Sequence, residues 1–210
     1  MSQDIVDRIA EVTPELDALR RRRPVTREQL QASFDALFRP LSTAEVSQEE
    51  RELIAAFATR LAGEDATAAF YAARAEAADP SRAGTVLGEA ARAATRGPFG
   101  AYAEAGLRDE STDGERYAPS AEVADAVGER IAAALAHAHL LVFRPREAAS
   151  GDLARLLDAG WSADGIVTLS QLVSFLAFQQ RVVAGLRTLA AEGLSDAAVA
   201  SDRDDEEEAA

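Results

Sequence analysis

The sequence predicts an all-α protein, and three observations lead to this prediction. Alanine, the residue with the highest intrinsic helix propensity, is abundant in a 210-residue chain that is 48% hydrophobic. Apolar residues recur at the three- and four-residue spacing that places them on one face of a helix. No two alternating runs are joined by an Asn-Gly or Asp-Gly turn, the pattern typical of a β-hairpin.

Capping and stop signals delimit the first two helices. Thr26-x-x-Gln29 has the pattern of a capping box, and Pro40 ends the helix that it predicts. Ser47-x-x-Glu50 begins a second helix by the same device, and Gly63 follows its end. The apolar faces of these helices comprise Leu30, Phe34, Leu37 and Phe38 in the first, and Leu53, Ile54, Phe57 and Leu61 in the second.

The rest of the chain reads as further helices on either side of a linker. Alanine-rich helices are predicted over 64–78 and 82–96, and residues 97–119 are rich in Gly, Pro and acidic residues, as in a linker. Ser120 then caps a long helix that the Arg144–Pro145 pair ends. Its apolar side comprises Val123, Val127, Ile131, Leu135, Ala138 and Val142. A short helix after Ser150 and a long helix from about Ser162 complete the prediction.

These boundaries divide the chain into four predicted segments. They are an N-terminal helical arm over 1–40, a first helical half over 41–110, a second helical half over 120–195 and a disordered acidic tail over 200–210. The stretches ELIAAFATRLAG (52–63) and ERIAAALAHAHL (129–140) superpose with Ile54 on Ile131, which indicates an internal repeat.

Charge and composition exclude several classes of function. A net charge of −14 opposes nucleic-acid binding, which requires a basic surface. The basic run Arg20–Arg23 is interpreted as a solvated helix end. The N-terminus lacks the basic and apolar regions of a signal peptide, and the apolar stretch 165–180 contains too many polar residues for a membrane span. We therefore expect a soluble, cytoplasmic protein that binds neither nucleic acid nor membrane.

The last predicted helix resembles a known family. Residues 159–186 read AGWSADGIVTLSQLVSFLAFQQRVVAGL, similar to the C-terminal turn and helix of the carboxymuconolactone decarboxylase and alkylhydroperoxidase D superfamily (the CMD superfamily). Residues 47–73 resemble the helix that leads into that superfamily's active-site motif. The matching C-terminal positions are Ala159, Gly160, Trp161, Ser162, Ile166, Phe178, Gln179, Gln180, Arg181, Ala184, Gly185 and Leu186. The resemblance implies an alkylhydroperoxidase D-like helical bundle that assembles into homo-oligomers.

The chemistry of the superfamily's peroxidase branch does not carry over. That branch uses a Glu-x-x-Cys-x-x-Cys-x-x-x-His motif, whose four positions fall here on Leu61, Glu64, Thr67 and Tyr71 when the alignment is anchored at Gly63. The chain contains no cysteine, which excludes thiol peroxidase activity, disulfides and thiolate metal sites. No spacing of histidines and carboxylates suits a metal, so we expect neither a metal nor a cofactor.

Four side chains remain as candidates for acid–base chemistry: Glu64, Tyr71, His137 and His139. Glu64 and Tyr71 lie two turns apart on one predicted helix, where the alternative roles are a favourable charge at a helix start and core packing. His137 and His139 are the only histidines, and their i, i+2 spacing differs from the i, i+4 spacing of a metal-binding pair. The alternative is that both histidines are structural.

Arg181 is a candidate for ligand binding or for a structural clamp. Gln179, Gln180 and Arg181 point in three directions around an otherwise apolar helix, so at least one of them should face inward. A buried arginine would require an acidic partner.

The resemblance and the missing cysteines lead to three hypotheses. The first is a non-thiol companion or binding protein of a cysteine-containing paralogue, and the second is an acid–base enzyme that decarboxylates or isomerises a small organic acid. The third is a module that binds a small molecule between the two helical halves.

Overall fold

The computed structural model describes residues 4–192, and this part of the chain is all-α, as predicted. The helices are α1 (Ile5–Ala10), α2 (Pro14–Arg21), α3 (Pro24–Phe38), α4 (Gln48–Leu61), α5 (Ala66–Ala78), α6 (Pro80–Ala93), α7 (Ala121–Val127), α8 (Glu129–Phe143), α9 (Ser150–Asp158) and α10 (Ala163–Glu192). Two short 3-10 helices lie over Ala105–Glu110 and Pro145–Glu147. The predicted acidic tail, 200–210, lies outside the described residues.

Contacts between Cα atoms divide the described chain into two units. Residues 4–39 and 178–192 form one, which we call the terminal unit, and residues 40–177 form the other, the central unit. The predicted first half, 41–110, lies within the central unit, whereas the described part of the predicted second half, 120–192, is divided between the two units after residue 177.

In the terminal unit, α3 packs against α1 and α2 through its predicted apolar face. The predicted capping box at Thr26 is wrong: α3 begins at Pro24, and its N-terminus has no side-chain cap. Proline suits the first turn because its missing N–H would be unsatisfied there and its φ is already helical.

The prediction of a solvated basic run is wrong for Arg20. Its guanidinium is buried and forms ion pairs with Asp4, at 2.9 Å, and with Asp7. The next residue, Arg21, has a side chain that is 70% exposed, as expected for a helix end. Arg20 is buried because α1 brings two carboxylates to it, a contact that a local charge pattern does not reveal.

In the central unit, α4 is buried on nearly all sides and packs against α5, α6 and α8. It begins with the predicted capping box: the Ser47 hydroxyl accepts from the Glu50 N–H, and the Glu50 carboxylate accepts from the Ser47 N–H. Nine of the fifteen residues of α8 are also buried. The two stretches that superpose in sequence are thus the two packed central helices of this unit.

The prediction of one long helix after Ser120 is wrong, because the structure has two helices there. Ser120 caps α7 as predicted, but the chain turns at Gly128 and α8 runs at 117° to α7. Gly128 has φ +89° and ψ 145°, a conformation that only glycine adopts readily.

One described helix, α10, is long and apolar enough to cross a membrane. Half of its apolar window is buried within the protein, as in the core helix of a soluble protein. The bent pair α7 and α8 passes the same test only when the two are taken together. Length and composition alone are therefore weak support for a membrane span.

Candidate functional site

A cavity of about 710 Å³ lies in the central unit beside α8. Its walls come mainly from α8, from α9 and from residues 116–119, and α7 contributes Ala124. Six alanines contribute to them, namely Ala118, Ala124, Ala132, Ala133, Ala136 and Ala159. Three of these lie on α8, where small side chains leave space that bulkier residues would fill.

His137 is one of two buried histidines in the α8 wall. The residue is 5% exposed, and its Nε2 lies 3.3 Å from the Ser170 hydroxyl oxygen on α10. Its other ring nitrogen, Nδ1, is buried and has no hydrogen-bond partner among residues 4–192. Burial lowers the pKa of His137, and the nearby Asp152 carboxylate only partly opposes this effect. The imidazole is therefore neutral at pH 7.

His139 also lines the cavity, but aromatic rings surround it. Its ring lies 4.9 Å from that of Phe143, edge to face, and 5.4 Å from that of Tyr117. Burial lowers the pKa of His139, while a hydrogen bond to the backbone of Ala93 acts in the opposite direction. Packing against these two rings holds His139 in the wall of the cavity.

Tyr117 anchors the segment opposite α8. Its hydroxyl donates to the Glu89 carboxylate at 2.9 Å, and Arg92 pairs with the same carboxylate. Burial first, and then the Glu89 carboxylate, raise the pKa of Tyr117 well above its usual range. The phenol is therefore neutral, and it fixes residues 116–119 against α6.

The rim of the cavity carries charges of both signs, and its arginines are paired. Arg144 contacts Asp113 at 2.8 Å and Glu147 at 2.9 Å. Arg116 pairs with Glu147, and Arg155 pairs with Asp152. The acids Glu129 and Asp158 are exposed at the edge. The walls thus offer no unpaired cation to an anionic ligand.

The structure brings His137 and His139 to one cavity but leaves the other candidate residues elsewhere. Glu64 has a side chain that is 75% exposed and forms an ion pair with Arg60. Tyr71 is completely buried, with its ring edge-to-face against Phe70. Neither of these candidates lines the cavity.

In the polar cluster at the middle of α10, the two amide side chains face inward. Gln179 and Gln180 are buried, and Arg181 is exposed. Because Arg181 does not face inward, it does not require the buried carboxylate partner that an inward-facing arginine would need. Arg181 does not line the cavity beside α8.

Within residues 4–192, no group of three or more histidine, aspartate or glutamate side chains could hold a metal ion. Comparison with protein-family models, curated proteins and solved structures finds no match to this chain. The cavity and its two histidines are therefore the features from which a function can be inferred.

Proposed function

We propose that this chain is a small-molecule-binding protein that works without thiol chemistry, and that the cavity beside α8 is its binding site. The observation that carries the proposal is a cavity of about 710 Å³ whose walls combine six alanines with the buried histidines His137 and His139. Ligand sites commonly have volumes of about 300–1,000 Å³.

The proposal includes membership of the CMD superfamily as a cysteine-free protein. The helical frame and the resemblance of residues 159–186 support this assignment. At three of the four positions of the peroxidase motif the side chains are buried as packing, since Leu61, Thr67 and Tyr71 are each at most 1% exposed. These three motif positions are thus part of the core, and the cavity lies elsewhere, beside α8.

The binding site is tested with an aromatic probe and a cavity-filling variant. Ala133 lies four residues before His137 on α8 and is only partly exposed, so Ala133→Phe places a ring in the cavity without entering the core. We expect isothermal titration calorimetry to show saturable binding of 2-naphthol to the wild-type chain. The Ala133→Phe variant should bind at least about tenfold more weakly, a loss of about 1.4 kcal/mol.

The matched control is Ala126→Phe, because Ala126 is exposed on α7 and does not line the cavity. This variant should bind 2-naphthol as the wild type does. Absence of saturable binding to the wild-type chain, or equal affinities for the wild type and Ala133→Phe, would contradict the proposal.

A second candidate function is acid–base catalysis on a small organic acid, and the neutral imidazole of His137 favours it. A neutral histidine can accept a proton from a bound substrate. Decarboxylation or lactone isomerisation by the wild-type chain, lost in His137→Asn, would support this function. Turnover that survives His137→Asn would exclude His137 as the base.

The proposal also covers assembly and partners. We expect a cytoplasmic homo-oligomer, measurable by light scattering after gel filtration, that co-purifies with a cysteine-containing paralogue of the superfamily. Because the chain has no thiol, we expect no turnover of cumene hydroperoxide above background. Clear turnover by the pure, metal-free chain would contradict that expectation.

A further inference from the structure

Residues 115–119, which we call the strap, lead into α7 and adopt no helical or strand structure. Among the described residues, the strap takes part in no backbone-to-backbone hydrogen bond. Four of its residues, 116–119, line the cavity beside α8. One wall of the cavity is therefore a segment that side-chain contacts, rather than a backbone ladder, hold in place.

Both ends of the strap are fixed to the central unit. Before it, the buried guanidinium of Arg144 donates to the Gly114 carbonyl at 2.7 Å and pairs with Asp113 at 2.8 Å. After it, the Ser120 hydroxyl accepts from the Val123 N–H at 3.3 Å and caps α7. A segment of this kind can move away from the protein without unfolding the helices beside it, which is local opening.

Tyr117 makes the strongest contacts of the strap. Its ring centroid lies 5.5 Å from that of Phe57 on α4 and 5.4 Å from that of His139 on α8. Its hydroxyl donates to the Glu89 carboxylate on α6 at 2.9 Å. A hydrogen bond to a charged group contributes more to stability than one between neutral groups, so this bond should favour the closed position of the strap.

The other side chains of the strap hold it less firmly. Arg116 pairs with Glu147, but the Arg116 side chain is 62% exposed, and ion pairs at the surface contribute little to stability. Glu115 and Ala118 are exposed. The position of the strap therefore depends chiefly on Tyr117.

We infer that the strap is a movable wall through which ligands enter and leave the cavity, and that Tyr117 is the positioning residue that keeps this wall closed. The inference rests on the proposed binding function and deepens it, because it supplies the control of access to the same site. Exchange of a ligand is then limited by the opening of the strap, as in proteins whose binding sites close with a loop.

Tyr117→Phe tests the movement without a ligand, because it removes the hydroxyl and keeps the ring. We expect trypsin to cleave the native variant after Arg116 about tenfold faster than the wild type, since cleavage follows the population of the open strap. Mass spectrometry of the fragment that begins at residue 117 measures this rate. Cleavage after Arg108, which is exposed outside the strap, should keep its wild-type rate.

The matched control is Tyr102→Phe. The Tyr102 hydroxyl accepts from Arg146 at 2.8 Å, outside the strap, and Tyr102 does not line the cavity. This variant should be cleaved after Arg116 at the wild-type rate.

Stopped-flow fluorescence with 2-naphthol gives a readout that loss of packing alone would not produce. The association and dissociation rate constants should both rise about tenfold in Tyr117→Phe, while Kd stays within about twofold of the wild-type value. The reason is that the variant favours opening of the free and of the bound protein alike. If the substitution only damaged the wall, Kd would rise and the association rate constant would not.

The outcomes separate the inference from the proposed function. Equal cleavage after Arg116 in the wild type and in Tyr117→Phe, faster cleavage after Arg108 to the same degree, or an unchanged association rate constant would overturn the inference and leave the binding function standing. Failure of 2-naphthol to bind the wild-type chain would overturn the binding function itself, and the cleavage rates would still decide whether the strap moves.

Discussion

Arg130, the second residue of α8, shows how one side chain joins the two helical halves of the central unit. Its Nε contacts the Glu50 carboxylate at 2.6 Å, and its remaining nitrogens donate to the carbonyls of Glu45 and Gly160. The guanidinium lies 4.0 Å from the ring centroid of Trp161, whose indole N–H donates to the Arg130 carbonyl at 2.9 Å. These contacts require the planar fork of an arginine.

Replacement of Arg130 should therefore be costly even by lysine. We expect Arg130→Ala to lower the free energy of unfolding by about 2 kcal/mol, and Arg130→Lys to recover less than half of that loss. Urea titration followed by Trp161 fluorescence measures both. Arg21→Ala is the control, because its exposed i, i+4 pair should contribute no more than about 0.5 kcal/mol. Wild-type stability in Arg130→Lys would contradict the importance of the fork.

At the residue scale, the sequence could indicate the histidines but not the cavity that they line. His137 and His139 are conspicuous as the only histidines in the chain. The cavity depends on small side chains at Ala132, Ala133 and Ala136 and on the position of residues 116–119. An alanine on a helix face is equally common at close-packed contacts, so composition cannot distinguish an open face from a packed one.

At the element scale, the separation of α7 from α8 is the clearest difference between prediction and structure. The apolar stripe from Val123 to Leu135 keeps its helical spacing across Gly128, so periodicity predicts one helix. Glycine within a helix costs only about 1 kcal/mol, and the stripe outweighs that signal. The turn at Gly128 lets both halves of the stripe reach the core, a requirement set by tertiary packing.

Two glycine substitutions with opposite expected signs test this account. An alanine Cβ would meet no atom within 4 Å at Gly128 or at Gly84, so differences in stability must come from the backbone. Gly128→Ala should destabilise the protein by about 1–2 kcal/mol, because φ is +89° there. Gly84→Ala, in the middle of α6, should stabilise it by about 0.5–1 kcal/mol. Thermal denaturation compares the two, and equal effects would contradict the account.

Asp79 connects α5 to α6, and its carboxylate should stabilise the start of α6. It accepts from the Ser81 hydroxyl at 2.7 Å and from the Arg82 N–H at 3.0 Å, and these bonds, that of Ser81 first, lower its pKa to about 2. Asp79→Ala should cost about 1 kcal/mol at pH 7, and Asp79→Asn less, because asparagine also caps helices. The difference between wild type and Asp79→Asn should shrink as the pH falls from 3.8 towards 2. A difference that persists at pH 2 would contradict the role of the charge.

At the scale of the whole molecule, the all-α class was predictable because the helix signals are local and repeated along the chain. The central position of α4 and α8 could also be anticipated, since their sequences superpose and are apolar on more than one side. The buried ion pairs of Arg20 could not, because they join α1 to α2 through side chains 13 and 16 residues apart. Contacts of this kind depend on how helices pack.

The two buried histidines give the whole protein a defined pH dependence. Burial lowers the pKa of His137 and of His139 below the ordinary value of 6.5, with Arg155 and Arg144 acting in the same direction and Asp152 opposing it at His137. Between the native and unfolded pKa values, the unfolded state binds more protons than the native state. The free energy of unfolding is therefore highest above pH 6.5 and decreases as the pH falls below that value.

Proton linkage sets the size of this pH dependence, and a variant that lacks His137 separates it from the titration of other groups. For each histidine, the free energy of unfolding should fall by up to about 1.4 kcal/mol per pH unit below 6.5, until the native pKa of that histidine is reached. We therefore expect His137→Gln to gain stability relative to the wild type as the pH falls from 7.5 to 5.0 in urea titrations. Gly84→Ala serves as the control, since its difference from the wild type should not change with pH. A constant difference between His137→Gln and the wild type across this range would show that His137 keeps its ordinary pKa in the folded protein.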